Sequence, residues 1–288
     1  MPVVATVAAG VIGVGAGAWP TVRGQSSGEE APTMRAQLTG VLSDQQWAKP
    51  KPGSWTPPKP APDGLPPKIT RIATQDKVVF LTIDDGYEYD AEFVNLVRKE
   101  RVPILTFLTS RYVEGQGQYF WALRNAGSQM ENHTVSHPNM ASLSPEGQRK
   151  EICKASDTIA EQYGRRPQIF RPPFGSMNET TRQKAKECGI KSILLWSAEF
   201  YNGTTGPGVG FNGFARGDGA GKNFRPGDII LMHYRKGLAE QFQMILGWIR
   251  QQGFRPAAVE NYLPKSLGGN APDQPGPAGQ TEQPATVP

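Results

Sequence analysis

An apolar run, Val78, Val79, Phe80, Leu81 and Ile83, leads into two adjacent carboxylates and a glycine, Asp84, Asp85 and Gly86. Strands buried on both faces of a parallel sheet have this composition. Their carboxyl ends are where α/β barrels and open α/β sheets place reacting groups. Neighbours in a strand point to opposite faces, but Gly86 lets the backbone turn so that both carboxylates aim at one site. Read alone, the same tripeptide is also a polar strand end that caps the next helix.

The chain contains three histidines, His133, His137 and His233. The first two, in His-Thr-Val-Ser-His, stand at i and i+4, so one helical turn or a tight loop brings both imidazoles to one face, as a metal requires. Thr134 occupies the place of the glutamate in a zinc-protease His-Glu-x-x-His, so a third ligand and a base must come from elsewhere. A carboxylate from an earlier strand end completes a two-His, one-carboxylate set, which suits Zn²⁺ in a hydrolase or Fe²⁺ in an oxygenase. In Phe170-Arg-Pro-Pro-Phe-Gly175, two prolines stiffen the loop after Arg171. A rigid arginine clamps a carboxylate, and the backbone N–H of Phe174 is placed to meet an oxyanion. His233 closes the apolar run Ile229-Ile-Leu-Met and is placed as a general acid.

These groups meet only if each sits at a strand end of one array. Strand-like runs fall at 78–83, 104–108, 129–132, 169–171, 191–196, 229–233 and 254–259; helix-like stretches fall at 91–100, 120–126, 145–163, 179–188 and 239–252. Ser144 and Pro145 read as the N-cap and first position of a helix, and Gly127, Gly164, Gly189 and Gly253 follow helix patterns. About seven alternations argue an α/β fold with a parallel sheet, most simply a barrel. The glycine-rich segment 201–226 has no periodicity and reads as a long loop at the functional rim or a mobile lid, or equally as a tolerated surface insertion.

Outside this alternation the composition changes. Residues 1–20 are mostly small and apolar and carry no charged side chain, with Ala16-Gly-Ala18 like a secretory cleavage site but no charged segment before it. They read as a signal-like segment or a short membrane anchor, at the lower limit of a span. A Pro/Gly/Ser-rich linker follows at 21–68, with Trp47 and Trp55 as candidates to pack back on the domain. The catalytic domain is expected at 69–264 and a disordered tail at 265–288. A net charge of +5 favours an anionic surface such as a cell wall or membrane, and no basic run points to nucleic acid. Cys153 and Cys188 lie in successive helix patterns and make either one bridge or two buried thiols.

The order Thr-x-Asp-Asp-Gly, His-Thr-x-x-His-Pro, Arg-Pro-Pro-Phe-Gly and Leu-x-His resembles the polysaccharide deacetylases of carbohydrate esterase family 4, the NodB-homology domain, over roughly residues 77–263. The resemblance implies a deformed (β/α) barrel and a divalent metal, usually Zn²⁺. It also implies removal of N- or O-linked acetyl groups from an extracellular or cell-wall polysaccharide. By that resemblance Asp85, His133 and His137 hold the metal, Asp84 is the base and Arg171 orients it. The N–H of Phe174 supports the oxyanion, His233 is the acid, and Leu231 lines the acetyl pocket. One segment departs: Leu195-Trp-Ser-Ala-Glu-Phe200 stands where the family carries an Asp- and Trp-containing motif whose Asp supports the acid histidine. Trp196 is still placed to wall the pocket, and Glu199 is the nearest candidate partner for His233.

The expectation is a secreted or surface-anchored monomer acting on an acetylated glycan. The competing readings are a hydrolase of a non-glycan amide, a non-catalytic glycan-binding protein and an Fe²⁺ oxygenase. The last has no use for Asp84, Arg171 and His233 together.

Overall fold

The structure is a computed structural model that describes residues 50–51, 53–201, 213–216 and 223–271. In chain order its strands are β1 (Trp55–Thr56), β2 (Lys68–Ile69), β3 (Ala73–Thr74), β4 (Val78–Asp85), β5 (Ile104–Leu108), β6 (Gln129–Asn132), β7 (Ile169–Phe170), β8 (Ser192–Leu194), β9 (Ala198–Tyr201), β10 (Gly213–Arg216), β11 (Asp228–His233) and β12 (Arg255–Pro256). The helices are α1 (Ala91–Glu100), α2 (Ser110–Val113), α3 (Gly117–Asn125), α4 (Pro145–Tyr163), α5 (Glu179–Glu187) and α6 (Leu238–Gln251).

The main sheet runs β10-β9-β11-β4-β5-β6-β7-β8-β2, with β12 also paired to β4. Every pairing in it is parallel except β10 with β9. It curls until the segment leaving β2 meets the start of β11: Arg71 bridges to Asp228, and the Ile72 N–H donates to Gly227 O at 3.0 Å. A Cβ at residue 227 would lie 1.9 Å from Ile72 O, so only glycine permits this closure. The result is a deformed (β/α) barrel, as expected.

Strand alternation divides the core in two. Val79, Leu81 and Ile83 of β4 face outward and pack with Phe93 and Val97 of α1, Phe120 of α3 and Phe242 and Ile245 of α6. Val78 and Phe80 face inward among Leu105, Phe107, Ile169, Leu194, Ile229 and Tyr262. The same period of two carries Thr82 and Asp84 to the inner face. Helix ends follow their caps. Asp90 accepts from the N–H groups of Glu92 and Phe93 at the start of α1, and Ser144 accepts from Gly147 N–H at the start of α4. A disulfide joins Cys153 of α4 to Cys188 just past α5, with Cα atoms 4.9 Å apart. That settles the alternative left open above.

The packed region is wider than 69–264 at both ends. The described part of the 21–68 segment is not a free linker. β1 pairs with β3, β2 extends the main sheet beside β8, and Trp55 packs edge-on against Tyr262, ring centroids 6.1 Å apart. At the other end a 3₁₀ turn, Lys265–Leu267, buries Leu267, whose carbonyl accepts from Ser192 Oγ at 2.8 Å. One large side chain anchors each extension. Trp47, residues 1–49 and residues 272–288 lie outside the described residues. The glycine-rich segment also differs from a plain loop: Gly213–Arg216 is a strand because β9 offers it an edge to pair with. The 254–259 run shortens to β12 and is followed by a 3₁₀ helix, Val259–Tyr262.

Candidate active site

Asp84 and Asp85 end β4, between β11 and β5. Asp84 points into the barrel by strand alternation. Asp85 would point out to the helices, but its φ of 82° turns it toward the barrel mouth. Gly86 continues the turn at φ 87°, and a Cβ there would press on Phe120, Val113 and Leu108 at 3.0–3.2 Å.

His133 and His137 lie after β6 in a tight loop rather than on a helical turn. Thr134 and His137 both take left-handed backbone, φ 72° and 62°. Side chains hold that loop. Asn132 Oδ1 accepts from Thr134 N–H, Thr134 Oγ1 accepts from His137 N–H, and Glu151 of α4 accepts from the N–H groups of Val135 and Ser136 and the Ser136 hydroxyl. The two imidazoles stand with ring centroids 5.0 Å apart.

His133 Nδ1 lies 2.6 Å from Arg171 O. A carbonyl only accepts, so Nδ1 carries the proton and Nε2 presents its lone pair to the mouth. There it faces Asp85 Oδ1 at 3.6 Å, while His137 Nε2 faces the same oxygen at 3.2 Å. Asp85 Oδ1 is buried and has no hydrogen-bond partner. Three ligand atoms from Asp85, His133 and His137 thus fall within 4.8 Å of one another. Burial holds His133 down at about 3, against the pull of Asp85, so it stays neutral as a metal ligand must. Burial also works against the charge of Asp85, yet its His137 contact and the positive groups around it keep the carboxyl well below the usual range. This donor set fits a divalent metal of the zinc type.

Arg171 leaves β7 fully buried. It spends its donors on Asp84 Oδ1 (2.8 Å), Thr82 Oγ1 (2.8 Å) and the carbonyls of Leu194 (2.8 Å) and Leu195 (3.0 Å). Phe107 and Trp196 cover its guanidinium at 4.2 and 5.7 Å. Burial pushes the Asp84 carboxyl up and the Arg171 guanidinium down, each opposed by the other's charge. Asp84 Oδ2 is left facing the mouth, 3.6 Å from His133 Nε2. Phe174 has left-handed backbone at φ 61° and an exposed ring 4.7 Å from that of His137. Among non-glycine residues with positive φ, Asp85, Thr134, His137 and Phe174 all surround this one mouth. Strain concentrated in this way marks functional sites.

His233 ends β11 in register with Asp84. Burial lowers its pKa, with Asp84 and Asp85 pulling the other way. Leu231 lies two residues earlier on the same strand, buried and in register with Glu199 of β9. The charge of Glu199 reaches Arg171. Trp196 packs over Gly175.

All ten residues singled out in the sequence therefore lie at, or one strand away from, the same end of the barrel. Sequence reasoning missed Arg235, whose Nη2 donates to Asp85 Oδ2 at 2.7 Å, and Glu151 and Thr82. Thr82 stood inside the Thr-x-Asp-Asp motif, and its inward period was the signal. Arg235 and Glu151 carried none.

A family model described as polysaccharide deacetylase matches residues 71–193, which include every site residue before Trp196 and Glu199. An uncharacterised protein of Streptomyces coelicolor is 36% identical over 203 residues, 69% of this chain and 78% of its own length. The peptidoglycan-N-acetylmuramic acid deacetylase of Bacillus subtilis is 24% identical over 66% of this chain and 73% of its own. A solved family 4 carbohydrate esterase from Bacillus anthracis, 26% identical, superposes with a TM-score of 0.57 over 69% of this chain and 87% of its own. With the matched segment carrying both carboxylates, the histidine loop and the arginine loop, this chain belongs to the polysaccharide deacetylase family, the carbohydrate esterases of family 4.

Proposed function

We propose that the protein is a zinc-dependent deacetylase of a cell-wall polysaccharide, with the N-acetyl amino sugars of peptidoglycan as its substrate. The observation that carries this is the convergence of Asp85 Oδ1, His133 Nε2 and His137 Nε2 beside a second carboxylate, Asp84, clamped by a buried arginine. Asp85, His133 and His137 would hold the ion, which when bound polarises a carbonyl and lowers the pKa of water.

The chain's own residues do the rest. Arg171 occupies Asp84 Oδ1, so Oδ2 is the oxygen that takes the proton of the attacking water. A carboxyl raised by burial is a better base than an exposed one. The N–H of Phe174, on its left-handed turn, donates to the developing oxyanion. His233 donates a proton to the departing nitrogen. An amine needs that proton more than an alcohol does, which favours N-acetyl over O-acetyl substrates. Leu231 and Trp196 line the acetyl pocket, and Glu199 acts on Arg171 through its charge.

Action outside the cell is supported by the Cys153–Cys188 disulfide, by the peptidoglycan substrate named for the Bacillus subtilis relative and by the basic net charge. Among the described residues no helix is long and apolar enough to cross a membrane. The test is incubation of the full chain with purified peptidoglycan and with chitin oligomers, followed by mass analysis of the fragments. Loss of acetyl from peptidoglycan sugars is the expected result. Loss from chitin alone would move the substrate, and loss from neither would remove the reading.

A further inference from the structure

The end of the barrel opposite the active site holds a separate cavity of about 170 Å³. Its wall includes Ile104 and Gln129, the first residues of β5 and β6, whereas the catalytic groups are the last residues of β4 and those just past β6. One strand length, roughly 15 Å, separates the two places. The cavity far exceeds the ~10–15 Å³ that one water needs.

Four buried polar atoms of its wall lack a hydrogen-bond partner: Arg124 Nη1, Ser128 Oγ, Tyr163 OH and Asn261 Nδ2. Ser128, Tyr163 and Asn261 are 3%, 1% and 6% exposed. Buried polar atoms are normally paired, so four orphans around one space point to something that fills it. Their chemistry has one sense. The guanidinium and amide nitrogens only donate, and both hydroxyls can donate.

The charges agree. Arg165 on the same wall is neutralised by fully buried Glu131, which also accepts from the N–H groups of Gln168 and Ile169. Arg124 has no carboxylate partner among the described residues and lies over the ring of Trp121 at 4.8 Å. Burial and the charge of Arg165 both work against its protonated form. The remaining acid of the wall, Glu260, is pushed by burial up to about 7, so below that pH it is mostly neutral and does not offset Arg124. Water would satisfy the hydroxyls, whereas an anion would satisfy them and also pair with the half-buried Arg124 guanidinium, which has no carboxylate of its own among the described residues.

We propose that this cavity binds a small oxyanion, a monocarboxylate or inorganic phosphate, through Arg124, Ser128, Tyr163 and Asn261. The site is independent of the metal ligands and of the deacetylation reading.

The test is thermal unfolding of the full chain during titration with sodium phosphate and, separately, sodium acetate, at constant ionic strength. Saturable stabilisation by one of them is expected, and which one acts identifies the anion. Arg124→Gln should weaken the half-saturating concentration at least about tenfold while leaving acetate release from glycan unchanged. Asn261→Asp, nearly isosteric, should do the same by repulsion and keeps the test valid where Arg124→Gln does not fold. Asp85→Asn should keep the full response. No saturable response to either anion, equal responses in wild type and both cavity variants, or loss of the response in Asp85→Asn would each overturn the proposal.

Discussion

His133 Nδ1 donates to the backbone carbonyl of Arg171 at 2.6 Å, while the side chain of Arg171 donates to Asp84 at 2.8 Å. One residue therefore sets both halves of the site. Its carbonyl fixes which nitrogen of His133 is free, and its guanidinium fixes which oxygen of Asp84 is free. The loop after β7 is stiff because two prolines follow it, and this stiffness reaches both halves.

Replacing Asp84 by Asn should separate base from metal site. Asn still accepts from Arg171, and Asp85, His133 and His137 are untouched. We expect bound zinc to stay near wild type and turnover to fall roughly 10²–10⁴-fold. Metal analysis and acetate release on the same sample check this, and near-wild-type turnover would show that Asp84 is not the base.

Glu151 touches no candidate ligand, yet it accepts three hydrogen bonds from Val135 and Ser136, between the two histidines. Glu151→Ala should loosen the loop and weaken zinc about 10–100-fold, as loss of outer supports does elsewhere. Competition with a chromophoric chelator reads this directly, and His133→Ala in the same assay should lose both metal and activity.

The buried Glu260 carboxyl is raised from its usual 4.5 to about 7. Below pH 4.5 it is protonated in folded and unfolded chains alike. Between 4.5 and 7 the unfolded chain gives up the proton first, so stability falls as pH rises through this window. Above 7 the cost levels off at roughly 3 kcal/mol. Glu260→Gln removes that cost. Urea midpoints of variant and wild type should agree at pH 4 and differ in favour of the variant at pH 8.

The Cys153–Cys188 bridge closes a loop of 35 residues between α4 and α5. Chain entropy assigns such a loop about 3–4 kcal/mol, so a reductant should lower the unfolding midpoint. Cys153→Ser with Cys188→Ser should reproduce the reduced midpoint and make the protein insensitive to reductant.

The legible parts of this protein were those whose information is local. Asp84, His133, Arg171 and His233 each end an apolar run or a short polar motif, and α1 and α4 fall on the residues their patterns outline. Other parts borrow their structure from partners far along the chain. β2 is two residues long and is a strand because β8 is beside it; β10 is glycine-led and pairs only because β9 presents an edge. Arg235 meets Asp85 across 150 residues and Glu151 meets Ser136 across 15, so neither contact leaves a trace in local pattern. Cysteine spacing allowed both a bridge and two thiols, and only the packing of α4 against α5 decides it.

The most direct measurement is acetate release from acetylated peptidoglycan by the zinc-loaded full chain, before and after a chelator, with zinc then restored. The account predicts release that the chelator abolishes and zinc recovers, and none from an Asp85→Asn variant. Release that persists with the metal removed would contradict it, as would no release from zinc-loaded, folded protein on any acetylated glycan.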